Sequence, residues 1–287
     1  MSAAASGTHT IGDELTVNRL GFGAMRVAGP GVWGPPADRE TAVGVLRRAV
    51  ELGINLIDTA DSYGPHVSEE LIAEALHPYP DGLLVATKGG LERTGPGEWP
   101  RNGRPEHLRS ACEGSLGRLR VNQIDLYQLH APDPDVPYAD SVGTLKELQD
   151  EGKIRHVGIS NVTVEQLAQA RSIVDVVTVQ NRFNLTDRTS ADVLAVCEQD
   201  GLGFFPWFPL AAGYLAQTGG PVDEIAARHD ATPGQVALAW LLQRSAVMLP
   251  IPGTGSVAHL EENVAAAELE LGDEELEQLE AAGDAAT

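Results

Sequence analysis

The chain has 287 residues, 43% of them hydrophobic and 21% charged, which is the balance of a globular protein with enough apolar mass for a large core. Such a length accommodates two domains of about 150 residues each or one α/β barrel of about 250. Twenty Lys and Arg stand against 41 Asp and Glu, for a net charge of −21. That field repels nucleic acid and anionic membrane surfaces, and argues against both as partners.

Residues 1–10 lack the basic and apolar regions of a signal peptide, and no run of 18 apolar residues occurs. The chain therefore reads as cytosolic, with residues 1–9 expected to be flexible. Thr10 to Leu20 predicts a short hairpin turning at Gly12-Asp13. From Gly21 onwards, short apolar runs alternate with amphipathic segments. Strands are predicted at Leu20–Met25, Asn55–Asp58, Leu83–Thr87, Ile124–His130, Ile154–Ser160, Val176–Gln180, Gly203–Phe208 and Val247–Pro250.

Helices fall between them. Asp38 caps a segment with Ala42, Val45, Leu46, Ala49 and Leu52 on one face, and Gly53 follows it as a C′ residue. The next opens at Ser68-Glu69-Glu70, and Pro105 stands at the first position of a third. More follow at Tyr138–Glu151, Thr163–Ala170, Ser190–Asp200, Thr232–Arg244 and Val257–Ala266, and a last helix ends the chain. Eight strands, each followed by a helix without a linker or composition break, predict an α/β fold. The expected form is a single (β/α)8 TIM barrel over 1–287, with an N-terminal β-hairpin and a C-terminal helix.

Three features are read as unremarkable. Cys112 and Cys197 lie on apolar helix stripes and are expected to be core thiols. The eight His form no H-x-H or H-E-x-x-H pattern, which argues against a protein-ligated metal. Gly29-Pro-Gly31-Val-Trp-Gly34 matches G-x-G-x-x-G, but Pro35-Pro36 follows it. No strand runs through it straight into a helix, so a loop is expected rather than a dinucleotide fingerprint.

In a barrel, chemistry belongs at the C-terminal ends of strands. One such end carries Asp58 and continues to Tyr63, another carries Lys88, and a third carries His130. Singly, each side chain also suits a cap, a packing contact or a solvated terminus. Together they suit hydride reduction of a carbonyl, which needs a proton donor for the nascent alkoxide. Lys88 is expected to lower the Tyr63 pKa, Asp58 to hold Lys88, and His130 to polarise the carbonyl oxygen.

The sequence here resembles the aldo-keto reductase family. Asp58-Thr-Ala-Asp-Ser-Tyr63-Gly64 resembles the family's signature, and Thr87-Lys88 and Leu129-His130 resemble its strand-end Lys and His. The resemblance implies Tyr63 as general acid or base, Lys88 and Asp58 as its tuning pair, and His130 as the substrate-orienting group. It also implies NADPH as cofactor, with NADH as the alternative. Ser160, Asn161 and Gln180 would hold the nicotinamide carboxamide and Trp207 would stack on its ring, while Leu210, Gly213 and Leu215 would lie along the pyrophosphate. The segment Gly253, Thr254, Ser256, His259, Glu262, Asn263 resembles the adenosine-phosphate site. Gly253, Gly255 and His259 stand where many members carry Arg or Lys, which leaves less basis for choosing NADPH over NADH.

A looser resemblance, in Tyr63-Gly-Pro-His66 and Val179-Gln-Asn-Arg-Phe-Asn184, is to a bacterial branch that includes pyridoxal reductases. Trp33, Trp99, Tyr127 and Phe183 are expected to line the substrate pocket and to favour an aromatic, unphosphorylated carbonyl. A metal hydrolase would want H-x-H after the first strand, and a barrel glycosidase two opposed carboxylates, and neither pattern occurs. The rival from another class is a cofactor-sensing or regulatory barrel with little turnover, as a resemblance to potassium-channel β-subunits allows. The sequence is compatible with a monomer acting on a small-molecule carbonyl substrate.

Overall fold

The computed structural model describes residues 1–210 and 220–284. Its elements run β1 (Thr8–Ile11), β2 (Leu15–Asn18), β3 (Phe22–Gly23), α1 (Arg39–Glu51), β4 (Leu56–Asp58), α2 (Val67–Leu76), β5 (Leu84–Gly89), α3 (Pro105–Leu119), β6 (Ile124–Leu129) and α4 (Tyr138–Asp150). There follow β7 (Ile154–Ser160), α5 (Val164–Arg171), β8 (Val176–Arg182), α6 (Ala191–Asp200), β9 (Gly203–Trp207), α7 (Pro221–Arg228), α8 (Pro233–Arg244), α9 (Val257–Ala265) and α10 (Asp273–Asp284). Strands β3 to β9 form one parallel sheet in chain order, the arrangement of a (β/α)8 barrel.

The first and eighth staves, which meet at the seam, differ from expectation. Residues 247–252 lie between β9 and β3, bonded by Phe204 N–H to Val247 O (2.9 Å), Leu249 N–H to Phe204 O (2.8 Å) and Gly21 N–H to Pro250 O (3.0 Å). They form only an isolated bridge, Phe204 to Met248. Pro250 and Pro252 have no N–H to give a ladder, so the segment closes the barrel without becoming a regular strand. The predicted first strand shortens to β3, and Ala24–Val27 becomes a 3-10 turn.

Local chemistry accounts for the helix ends. Asp38 accepts the Thr41 amide at 3.0 Å, Thr163 and Thr232 form capping boxes with Gln166 and Gln235, and Pro105 opens α3. α1 buries Ala42, Val45, Leu46 and Ala49 against the sheet, at about 1.5–3 kcal/mol for each large aliphatic side chain. α7, which sequence reading passed over, opens at Pro221 with Asp223 and Glu224 in its first turn.

The hairpin β1–β2 seals the bottom of the barrel. Ile11 and Val17 pack with Leu56, Leu84, Leu126, Phe205 and Leu249, so the barrel axis is solid there and any site must lie at the opposite end. Within residues 1–9, expected to be flexible, Ala3–Ser6 form a 3-10 turn that buries Ala3 and Ser6, and the rest is largely exposed. Ala3 is buried and its amide bonds Leu52 O at 2.9 Å. Gly29–Gly34 is a loop with a short turn at Pro30–Val32 and not a strand-to-helix junction. Cys112 and Cys197 are free and buried, and burial pushes both thiols up to about 12.

Candidate active site

Strand alternation decides what reaches the barrel axis. On β4 it is Leu56 and Asp58, on β5 Ala86 and Lys88, on β6 Leu126 and Gln128 with His130 just beyond. The apolar members of this series form the plug and the polar members lie above it. Asp58, Tyr63, Lys88 and His130 are all buried, with Lys88 fully enclosed.

The Lys88 ammonium donates to Asp58 Oδ2 (2.6 Å), to Thr59 O (2.8 Å) and, more loosely, to the Tyr63 hydroxyl (3.5 Å). Asp58 Oδ1 accepts from Gln180 (2.9 Å) and Gln128 (3.1 Å), so both carboxylate oxygens are fixed. Gln128 was not singled out from sequence, although it stands two residues before His130 on the same face. Its space depends on Gly158, where a Cβ would lie 2.3 Å from Thr178 Oγ1 and 2.8 Å from Gln128 Cγ.

The electrostatics add a larger effect, burial, to the expected pull of Lys88 on Tyr63. Burial raises the Tyr63 pKa above its ordinary value, and the opposing pull of Lys88 does not overcome it. Burial also works against the Lys88 charge, but Asp58 and Tyr63 outweigh it and the ammonium is held more firmly than usual. His130 is pushed well below the ordinary range by burial and then by Lys88, which leaves a neutral imidazole whose Nδ1 is buried without a partner. Its ring meets Tyr63 edge-on at 5.9 Å.

These residues open onto a cleft of about 710 Å³ at the C-terminal ends of the strands. Asp58, Tyr63, His130, Ser160, Asn161, Gln180, Trp207, Leu210, Gly253 and Trp99 line it, whereas Lys88 stands behind Tyr63. Trp207 donates its indole N–H to Asn161 Oδ1 at 3.0 Å. Asn161, at φ 59°, donates to His130 O and to Ser160 Oγ.

The lining of the cleft ends at Gly253, three residues before the N-cap of α9. There Ser256 caps the helix, Thr254 accepts the Ser256 amide at 3.1 Å, and His259 is exposed on the first turn. Glu262 is tied to α8 through Thr232 Oγ1 (2.7 Å), and Asn263 is buried beside it. Gly213 and Leu215 lie outside the described residues. An amide and hydroxyl wall, an aromatic ring and a helix N-terminus fit the carboxamide, flat ring and phosphate of a nicotinamide dinucleotide.

Two expected pocket residues lie elsewhere. Tyr127 points out of the barrel into the helix layer with Leu108 and Cys112, because Leu126 and Gln128 on either side of it face in. Phe183 is stacked on Trp240 at 6.0 Å and edge-on to Phe204 in the same layer. Trp33 does not line the cleft but stands at its edge under Arg93. Conversely, the wall includes Met25, Arg26, Val32 and Phe208, none of which was expected there. Arg26 puts a basic group on the cleft wall that was not singled out from sequence. Its cue was its place directly after the first strand.

Behind the tetrad lies a second buried polar cluster. Glu69 bonds Arg118 Nε and Thr87 Oγ1, both at 2.6 Å. Asp61 has an unpartnered Oδ1, and burial and then Glu69 push its carboxyl up to about 8.

Comparisons agree with this geometry. The aldo/keto reductase family profile matches residues 19–284. An uncharacterized oxidoreductase of Schizosaccharomyces pombe is 52% identical, covering 99% of this chain and 92% of its own. Pyridoxine 4-dehydrogenase of Escherichia coli is 44% identical over 96% of this chain and 98% of its own. A Klebsiella pneumoniae aldo-keto reductase, solved in complex with NADPH, superposes with a TM-score of 0.82 at 30% identity, covering 96% and 94% of the two chains. The chain belongs to the aldo/keto reductase family and is an NAD(P)H-dependent oxidoreductase.

Proposed function

We propose that the chain reduces aromatic aldehydes with NADPH and that Tyr63 gives the proton. The observation that carries this reading is the unbroken contact chain Asp58–Lys88–Tyr63, with His130 beside Tyr63 on the wall of the cleft. The nicotinamide, when bound, supplies the hydride. Tyr63, kept protonated by burial, donates to the carbonyl oxygen as negative charge develops there, and Lys88 stabilises the phenolate left behind. Neutral His130 offers a hydrogen bond to that oxygen without competing for the proton. Asp58 keeps Lys88 charged and aimed, and Ser160, Asn161, Gln180 and Trp207 orient the nicotinamide so that one face meets the carbonyl.

The mouth residues Val32, Trp99 and Phe208 suit a flat ring, and pyridoxal is the substrate suggested by the similarity to pyridoxine 4-dehydrogenase. Arg26 on the cleft wall gives a phosphorylated aldehyde a cation to meet, against the expected preference for an unphosphorylated one. Pyridoxal and its phosphate therefore belong in the same assay, beside nitrobenzaldehyde.

The test is oxidation of NADPH and NADH by wild type and Tyr63→Phe with these aldehydes. Loss of the proton donor is expected to cost on the order of 10²–10⁴-fold in turnover while NADPH still binds. Equal turnover by the two proteins would remove Tyr63 from this role.

A further inference from the structure

We propose that Arg93 is the positioning residue that builds the substrate mouth and gives it a preference for flat aromatic carbonyls. The proposal rests on reading the cleft as a carbonyl-substrate site. A guanidinium has five N–H donors, and in Arg93 all five are used on backbone carbonyls. Nε donates to Glu98 O (2.9 Å), Nη1 to Val32 O (2.6 Å) and Ser62 O (3.1 Å), and Nη2 to Gly31 O (2.9 Å) and Gly95 O (3.3 Å). Those acceptors come from three loops: the one after β3, the one after β5, and the one that carries Tyr63, which directly follows Ser62.

No carboxylate among the described residues forms an ion pair with Arg93, although Asp and Glu outnumber Lys and Arg by two to one. Its flat face serves a second purpose. The guanidinium carbon lies 3.7 Å from the centre of the Trp99 ring and 5.6 Å from that of Trp33. Trp99 in turn meets Tyr63 edge-on at 6.2 Å and lines the cleft with Val32. Val32 sits at φ 55°, a strained conformation for a β-branched residue, and Arg93 holds its carbonyl. One side chain thus fixes the Trp99 ring and the Val32 wall at a set distance from the proton donor. Lysine would keep the charge but supply only three donors and no planar face, so it cannot rebuild the clasp.

The experiment compares Arg93→Lys and Trp99→Leu with wild type, using 4-nitrobenzaldehyde and propanal as substrates and recording kcat and KM for each. Arg93→Lys is expected to raise the KM for nitrobenzaldehyde on the order of 10-fold relative to that for propanal. Trp99→Leu, which leaves every Arg93 donor in place, should reproduce that change in selectivity. In the double variant the two effects should not add, because both pass through one ring. Equal KM changes for the two aldehydes in Arg93→Lys, or additive effects in the double variant, would overturn the proposal. So would an unaltered selectivity in Trp99→Leu, whose reading does not depend on how well Arg93→Lys folds. Wild-type turnover tests the reductase reading and the selectivity ratio tests Arg93, so the two fail separately. A merely structural role would lower the melting temperature and leave that ratio where it was.

Discussion

The two ends of the cleft are built on opposite plans. At the reaction end, charged and polar groups are sealed from water and almost every one is held by another: Lys88 by Asp58 and Thr59 O, and Asp58 by Gln128 and Gln180. At the far end, among the residues expected to meet the adenosine phosphate, Gly253 and His259 are exposed and Ser256 and Glu262 half-buried, while Thr254 and Asn263 are covered. Under the proposed function, the difference follows from what each end would do. Moving a proton to a developing alkoxide needs groups fixed in a medium of low dielectric, where each charge is felt strongly. Holding a phosphate that arrives already charged needs donors and a helix N-terminus, which work at the surface but are screened by salt.

The sharpest way to break the contrast is Lys88→Met. It strands Asp58 as a buried carboxylate without its cation, and such a loss costs on the order of 3–5 kcal/mol of stability. Turnover should fall by roughly 10²–10⁴-fold as well, because the Tyr63 phenolate loses the charge that opposes its burial. Urea unfolding and steady-state kinetics on the same preparation check both. An unchanged turnover would show that Lys88 is structural alone.

A second test concerns the cluster behind the tetrad. Asp61 is a carboxyl whose folded pKa is raised to about 8 from an ordinary value near 4, so the folded state binds its proton more tightly than the unfolded chain does. Its linkage therefore costs nothing below pH 4, grows as the pH climbs from 4 to 8, and is complete above 8. Asp61→Asn, which cannot ionise, should escape that cost. The variant is expected to gain roughly 2–5 kcal/mol on wild type between pH 5 and pH 9. Unfolding free energies at the two pH values would show a constant difference if Asp61 were an ordinary ionised carboxylate.

How far the sequence was legible follows the same division. Strand-end residues could be read because alternation is strict: once His130 faces the barrel axis, Gln128 must too, and the pair that fixes Asp58 follows. The same parity, applied one residue further, sends Tyr127 outward, so its expected place in the pocket contradicted a signal already present. The closing segment 247–252 read as a strand from its apolar run, but Pro250 and Pro252 withhold the amides that a strand needs. Lys88 pulls the Tyr63 pKa down as expected but burial pulls it up further, and a charge neighbour can be guessed from a motif whereas the depth of burial cannot. Arg93 gave no signal at all. Its partners are backbone carbonyls of three separate loops, and carbonyls carry no side-chain code.

The smallest expected effects lie at the exposed end, and they sharpen the comparison by setting two additions of the same charge against each other. The family resemblance leads one to expect a basic side chain at Gly253, but its Cβ would fall 2.4 Å from Gly23 O, backbone against backbone across the barrel seam. Gly253→Arg should therefore loosen the seam and weaken NADPH binding, despite adding a cation beside the phosphate site. His259 is exposed, on the first turn of a capped helix, with nothing to displace. His259→Arg should tighten NADPH by about 5–10-fold and NADH by less than about 2-fold, since only the former brings the extra phosphate. Fluorescence titration of both cofactors at low and high salt checks this, because a gain made at the surface shrinks as salt screens it. An equal gain for NADH, or one indifferent to salt, would place His259 away from the phosphate. A gain from Gly253→Arg would show that the seam yields more readily than its close contact implies, and that the chain lacks a basic residue there by history and not by geometry.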